Sequence, residues 1–299
     1  MRKYGGFIIA ALWFFLGAIA LSAFISVMKG NFNPFNSRKA VWGDENTMVE
    51  NYSAESVGSI EASIVTDRLI IEGSSRDDIQ VTISTRLLGG SEPKAFVRDG
   101  VLYIEQEKHY NFSFGLNNGY VEILVPYSIM NESSFSVSAS SVSGSVSLKN
   151  ITASKATINS TSGSVRSESL TAPVIEARSV SGSVKLENTT ASETDIASTS
   201  GSVNFNGKSE SLSCTSTSGS VKAYLDAMPV KDCRFKSMSG SVRITLPEND
   251  GFVMRYSSMS GSVSNRFTGL RANKSGTNTY KDGGITISAE SMSGSVTIE

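Results

Sequence analysis

The chain has 299 residues, a formal net charge of −1 and 18% charged residues. Charged residues make up about a quarter of a typical globular domain, so this chain is poor in charge, and its near-zero balance argues against general nucleic-acid binding and against an acidic tail. The length would allow two ordinary domains. The sequence contains an internal repeat, however, and an array grows by adding coils, so one elongated unit is the better expectation.

The first element is an apolar stretch from Phe7 to Met28 that carries no charge over 22 positions. At 1.5 Å per residue a helix of this length reaches roughly 33 Å, which spans a bilayer core. Arg2 and Lys3 precede it, and the topology rule places a short basic flank in the cytoplasm. We therefore predict a cytoplasmic tail at residues 1–6, a signal anchor at residues 7–28 and an extracytoplasmic remainder.

The same stretch has a second interpretation, which is a cleaved signal peptide. Phe7 to Gly17 would form its apolar core, and Ala18 to Ala20 the small-residue cleavage site. The apolar run continues eight residues past Ala20, which an anchor needs and a cleaved peptide does not. Both interpretations place the chain from residue 29 onward outside the cytoplasm, either on the membrane or secreted or periplasmic.

Two regions follow the apolar stretch. Residues 29–50 are polar, interrupted by Gly and Pro, and show no sustained period, which predicts a linker. Residues 51–136 alternate apolar and polar side chains in short runs, as in Ile79, Val81 and Ile83, and this pattern predicts β-strand coils.

Residues 137–299 contain the hexapeptide Ser-x-Ser-Gly-Ser-Val eight times, about once every nineteen residues. Apolar side chains alternate on both sides of the glycine, which describes two strands that meet at a corner. Stacking of such coils predicts a rod about 4.8 Å longer for each repeat. The glycines of the repeat are Gly144, Gly163, Gly182, Gly201, Gly219, Gly240, Gly261 and Gly294.

Two columns of the repeat have predicted structural roles. We expect the glycine to adopt a positive φ, which a Cβ atom would penalise. The serine three residues before it falls on the inward side of its strand, and we expect its hydroxyl to bond to backbone groups of the turn. Ser198 is a representative of this column.

The spacing of the glycines also locates exceptions to the repeat. Thr268 to Gly284 lengthens the final interval and is predicted to leave the array as a loop, where binding function is usually carried. Cys214 and Cys233 lie in adjacent coils but two columns apart, so their Cα atoms would be roughly 8 Å apart, beyond the usual limit for a disulfide. We expect two buried free thiols.

From Ser59 to Glu299 the chain resembles the bacterial family of adhesin-type domains of unknown function, which are built from β-strand repeats with Ser-Gly-Asp/Ser-Val/Ile turns. The resemblance rests on Asp99 to Ile104, Val121 to Pro126, the eight SGSV turns and Gly283 to Ile287. It implies a single-stranded parallel β-helix of the cell envelope with no established activity. This chain has Ser where many members have Asp after the turn glycine.

The candidate binding residues lie three positions after the glycine, on the outward side of the strand. Arg166, Lys185, Lys222 and Arg243 place four cations within five coils, a stripe that could follow an anionic envelope polymer. The alternative is a solvated face whose charges discourage edge pairing. We call these four residues the basic column.

Other functions fit the sequence less well. The only histidine, His109, lies outside the repeats, which argues against a Ser-His catalytic pair. Glu168 and Glu187 share an outward column, but the column continues with uncharged residues, so the carboxylate cluster of a polysaccharide-cleaving β-helix is not formed. The column two residues before the glycine, from Val142 to Met292, is too irregular for an ice-binding lattice.

We therefore predict an all-β protein, a right-handed single-stranded parallel β-helix behind an N-terminal transmembrane helix. Its function would be a non-enzymatic adhesin-like or scaffolding surface, with an envelope glycan or another envelope protein as partner and no catalytic residue, cofactor or metal. One alternative is an enzyme on envelope polysaccharide, with carboxylates from the loop at 268–284. Another is a scaffold that associates end to end through the final strand, Ser295 to Glu299, since no capping element follows it.

Overall fold

A computed structural model describes residues 46–85, 92–106, 119–130 and 134–299, which are almost entirely β-structure. The short helical segments are a 3₁₀ turn, Ala54–Ser56, and the α-helix α1, Tyr127–Met130. The strands are β1 (Asn46–Ser53), β2 (Ser59–Ile64), β3 (Arg68–Ser74), β4 (Asp78–Thr85), β5 (Lys94–Arg98), β6 (Val101–Glu105), β7 (Tyr120–Pro126), β8 (Ser136–Ser141), β9 (Val146–Thr152), β10 (Lys155–Ser160), β11 (Val165–Thr171), β12 (Val174–Ser179), β13 (Val184–Ser198), β14 (Val203–Ser216), β15 (Val221–Leu225), β16 (Cys233–Ser237), β17 (Val242–Thr245), β18 (Gly251–Ser258), β19 (Val263–Asn265), β20 (Leu270–Ala272), β21 (Gly276–Lys281), β22 (Thr286–Ser291) and β23 (Val296–Ile298).

The repeats stack as parallel coils, as the sequence predicts. Strands that precede the Ser-Gly corner form one row, in which Ile158 pairs with Ala139 on one side and with Ala177 on the other. Strands that follow the corner form a second row, in which Val165 pairs with Val146 and Val184. These side chains are fully buried, so the core runs between the two rows along the whole array.

The corner serine bonds to the turn backbone, which confirms the expectation, and at seven of the eight corners it also links neighbouring coils. The Ser179 hydroxyl accepts a hydrogen bond from the backbone N–H of Gly182 at 2.9 Å. The same hydroxyl donates to the carbonyl oxygen of Gly163 in the preceding coil, also at 2.9 Å. A buried hydroxyl costs free energy unless it has a hydrogen-bond partner, so these two hydrogen bonds explain why serine recurs at this position.

The expectation that the corner glycine has a positive φ is wrong. The corner glycines are outside the left-handed region. They are required because successive corners touch: a Cβ atom on Gly182 would lie 2.1 Å from the carbonyl oxygen of Gly163. Positive φ occurs at the opposite bend of the coil, at Asn150, Ser169 and Asn188, and Asn is among the residues that tolerate this conformation best.

The order of coils in space departs from their order in the chain at the C-terminal end. Strands β22 and β23 lie between the coil of β16 and β17 and the coil of β18 and β19, with pairs such as Val242–Val296 and Val263–Val296. The prediction that the final strand is the free end of the array is therefore wrong. The segment 268–284 is not a free loop either, since β20 and β21 pair antiparallel with β19 and β18 and cover the terminal coil.

The N-terminal end repeats this arrangement. Strands β2 and β3 lie between the coil of β6 and β7 and the first SGSV coil, and antiparallel strands β5, β4 and β1 complete that end. Strand β1 begins at Asn46, so the last five residues of the predicted linker belong to the array.

Several predictions concern residues outside the described ranges. They are the cytoplasmic tail at 1–6, the anchor or signal peptide within 7–28, the linker up to residue 45, and His109. In the part of the chain that the structure describes, no helix has the length and apolarity to cross a bilayer.

The two cysteines are free and buried, as predicted. Cys214 pairs across the ladder with Phe235, so Cys233 stands two positions earlier on the neighbouring strand. Burial raises the pKa of the Cys233 thiol to about 11 and raises that of Cys214 well above its ordinary value.

Candidate polyanion-binding face

The basic column lies on the outer face of the second row and is interrupted once. Arg166 pairs with Lys185, and Lys222 pairs with Arg243, with Asn204 between the two pairs. All four cationic side chains are exposed. With coils about 4.8 Å apart, the column extends about 19 Å parallel to the array.

The parallel register is the physical reason that these side chains align. Each cation occupies the second outward position after its corner, and the corner bonds hold every coil in the same register. A rigid row of cations fixes the spacing of the charges before any ligand arrives, which lowers the entropy that binding must overcome.

Carboxylates reduce the field at part of this face. Lys185 lies 2.7 Å from Glu187, and Arg243 lies 4.0 Å from Glu299. Such exposed pairs are worth at most about 1 kcal/mol each, so a polymer with several anions can displace them. Arg166 and Lys222 carry the least neutralised charges of the basic column, because no ion pair of either is found among the described residues.

The structure adds residues that the repeat could not indicate. Arg68 of β3 and Lys149 of β9 join Arg166 around a shallow groove of about 520 Å³ beside the column. Arg68 precedes the first SGSV repeat, so only the pairing of β3 with β9 shows that it shares this face. Tyr224, two residues after Lys222, is 52% exposed and places an aromatic ring beside the column.

A second groove lies at the C-terminal end and includes part of the segment 268–284, which interrupts the repeat. Its lining combines Arg266 and Arg271 with Ser264 and Asn265 of β19. Arg266 lies 2.7 Å from Glu299. The carboxylates that an acid-base mechanism would need do not appear among the described residues that line this groove, and its arginines favour an anion.

The pair Glu168 and Glu187 is adjacent across β11 and β13, as the columns predict. Lys149 stands on the other side of Glu168, and Lys185 holds Glu187. The two carboxylates thus lie side by side on an exposed ladder, each beside a lysine. Burial raises the pKa of the Asp67 carboxyl group. The Gln106 side chain donates a hydrogen bond to this carboxylate at 3.3 Å, which opposes the rise.

Solved bacterial structures match this chain at low sequence identity. A candidate lipid-binding protein and a candidate adhesin, both from Parabacteroides distasonis, are 13% and 14% identical, with TM-scores of 0.43 and 0.41; each match covers 86% of this chain and 98% of the other. A candidate adhesin from Bacteroides fragilis is 15% identical over 85% of this chain and 96% of its own, with a TM-score of 0.35. The search of curated proteins found no match.

The family comparison covers most of the chain. The model of the Toastrack DUF4097 family matches residues 59–299, which include all eight SGSV corners and, except for β1, both antiparallel ends. The chain belongs to the Toastrack DUF4097 family.

Proposed function

We propose that this protein is a non-enzymatic, adhesin-like or scaffolding surface of the bacterial cell envelope that binds an anionic glycan through the basic column. Its array would be a right-handed parallel β-helix outside the cytoplasm, held by the signal anchor at residues 7–28. The uncharged run of 22 residues supports the anchor.

The observation that carries the proposal is the alignment of Arg166, Lys185, Lys222 and Arg243 on consecutive rungs of a rigid ladder, interrupted once by Asn204. A polymer with regularly spaced anions can meet several rungs at once, and each further contact is then intramolecular, so weak single contacts add to a useful affinity. Tyr224 offers a ring face on which a sugar can pack.

The test replaces all four residues of the basic column by alanine in the full-length protein. Retention on immobilised polygalacturonate is measured across a salt gradient, with neutral dextran as the reference matrix. We expect affinity to fall by roughly tenfold or more, since each exposed charge contact is worth about 0.2–1 kcal/mol.

A matched control exists on the other face. Lys155, Arg178, Arg234 and Lys236 are exposed cations of the first row, and their replacement removes the same net charge. The control variant should keep its retention. Equal losses in the two variants would show that the basic column is not the binding face.

The anchor is tested separately by mass spectrometry of the mature N-terminus. An intact start with residues 1–28 present supports the anchor. Cleavage after Ala20 contradicts it and supports a secreted or periplasmic protein.

A further inference from the structure

The column two residues before the corner glycine carries an exposed apolar side chain in five of the eight repeats. In the described part of the chain nine large apolar side chains are exposed, and the five in this column form a row: Val142, Val180, Met238, Met259 and Met292. The three methionines are together at one end, with exposures of 43%, 74% and 43%.

The topology of the chain end sets the order of these methionines. By sequence, Met259 would be in the middle. In the structure Met292 is in the middle, because its coil is inserted between the other two: the N–H of Ser293 donates to the carbonyl of Met238 at 3.1 Å, and the N–H of Ser260 donates to the carbonyl of Met292 at 3.1 Å.

We propose that Met238, Met292 and Met259 form a binding site for a soft monovalent metal ion, Cu(I). Thioether sulfur is a soft, polarizable ligand that selects Cu(I) over hard cations. Three thioethers on successive rungs of a rigid ladder provide a pre-arranged ligand set that exposed methionines scattered over a surface would lack.

The spacing of the rungs is compatible with shared coordination. Adjacent Cα atoms are about 4.8 Å apart along the array. A metal–sulfur bond is about 2.3 Å long, so for a metal at the level of Met292 the two outer sulfurs have to move inward by about 2.5 Å. Met is unbranched and has three rotatable bonds, so its side chain can make this movement without a shift of the backbone.

The surroundings favour a soft ion over a hard one. The corner positions beside the methionines are serines, such as Ser239 and Ser293, which offer no carboxylate to a hard cation. The charged side chains on the next outward column, Lys236 and Glu290, pair with each other at 3.2 Å. A thioether has no proton to lose, so binding is expected to be independent of pH between 5 and 8, unlike binding by histidine or cysteine.

The experiment titrates the full-length protein with silver nitrate in chloride-free buffer. Ag(I) is an air-stable substitute for Cu(I), and the methionine methyl groups are labelled with ¹³C and followed by NMR. We expect the methyl signals of the three methionines of the row to shift together and to saturate at one equivalent of silver.

Single leucine variants test the order of the ligands. Met292→Leu leaves Met238 and Met259 about 9.6 Å apart, so both sulfurs must move inward by about 2.5 Å to share one ion without a third ligand, and the silver concentration needed should rise by about tenfold or more. Met238→Leu and Met259→Leu each leave an adjacent pair and should have the smaller effect. Met228→Leu, which changes a partly buried methionine outside the row, should have none.

Several outcomes overturn the proposal. They are equal effects of the three row variants, a larger effect of Met259→Leu than of Met292→Leu, and silver uptake at Cys214 and Cys233 without a shift of the row methyls. Leucine matches methionine in volume, and these positions are exposed, so loss of folding will not imitate loss of binding. A circular dichroism spectrum unchanged from that of the parent protein checks this.

Discussion

At the scale of single residues, the corner is held by one serine and one glycine per coil that act on neighbouring coils. The Ser198 hydroxyl accepts from the N–H of Gly201 and donates to the carbonyl of Gly182, each at 2.9 Å. The two bonds connect three backbone segments of two coils and fix the direction in which the next strand begins.

Replacement of this serine should be costly although the residue is small. Ser198→Ala leaves a turn N–H and a carbonyl without their side-chain partner in a buried place, so we expect a loss of about 1–3 kcal/mol in the free energy of unfolding, measured by urea denaturation. Ser200→Ala, at an exposed position of the same corner, is the control and should stay within about 0.5 kcal/mol of the parent. A neutral result at Ser198 would refute the bonding role.

Glycine substitution tests whether contact or conformation requires the residue. In Gly182→Ala the new methyl group would lie 2.1 Å from a backbone oxygen, which cannot move alone, so we expect at least about 1–3 kcal/mol of destabilisation. The nearest atom to a Cβ atom on Gly58 is 3.9 Å away, and Gly58→Ala should be nearly neutral. Thermal denaturation of the two variants side by side decides the point, and similar melting temperatures would contradict it.

Of the two corner residues, only the serine has a role that could be predicted from the sequence. The bonding of Ser198 could be predicted, because its inward position and its polar hydroxyl together demand a partner. The reason for the corner glycine could not, since the atom that excludes a side chain belongs to another coil, nineteen residues away in the chain. Sequence shows that a Cβ atom is disfavoured, and only the stacked coils show what it would strike.

At the scale of elements, the order of coils in space departs from their order in the chain at both ends of the array, and at the C-terminal end the chain leaves one position open and fills it later. At the C-terminal end β23 enters between β17 and β19, so it is bonded on both sides. At the edge, β20 and β21 present charged side chains such as Arg271 and Lys281. Charges on an edge strand hinder pairing with another chain. The sequence predicted an uncapped end here, whereas the structure has a charged edge formed by β20 and β21.

Hydrogen exchange distinguishes this topology from stacking in chain order. Amides of β22 and β23 lie inside the array, whereas those of β20 and β21 lie at its edge, so peptides covering 286–298 should exchange about tenfold more slowly than peptides covering 268–281. Peptides from β10 to β12 in the middle of the array give the slow reference. Faster exchange of 286–298 would indicate that the final strand is the edge.

At the scale of the whole molecule, the coils form one continuous core, so the buried thiols in its middle report on the opening of the array. Cys214 and Cys233 are 0% and 3% exposed. Burial raises the pKa of both thiols because a thiolate is poorly solvated there.

The raised pKa values predict a loss of stability in alkali. The unfolded thiol ionises near pH 8.5, and the folded Cys233 near pH 11. Folding therefore favours the protonated thiol, and this contribution is complete below about pH 8.5 and is lost as the pH rises toward 11, by on the order of 2–3 kcal/mol for Cys233.

The double variant Cys214→Ala, Cys233→Ala isolates this effect from other groups that titrate in alkali. The double variant is less stable at all pH values because of the cavities, but its free energy of unfolding should fall less steeply from pH 8.5 to 11 than that of the parent. Urea denaturation at several pH values gives both slopes. Parallel slopes would show that the thiols do not contribute.

The sequence alone determined the coil and its inward and outward columns, because alternation along a strand and a fixed corner every nineteen residues are local properties. It thereby placed Arg166 beside Lys185 and kept Cys214 and Cys233 apart. The tertiary structure decided the order in which the coils meet, since pairing between strands depends on which position the returning chain fills and not on its position in sequence. That choice buries the final strand, brings Arg68 to the face of Arg166, and sets Met292 between Met238 and Met259.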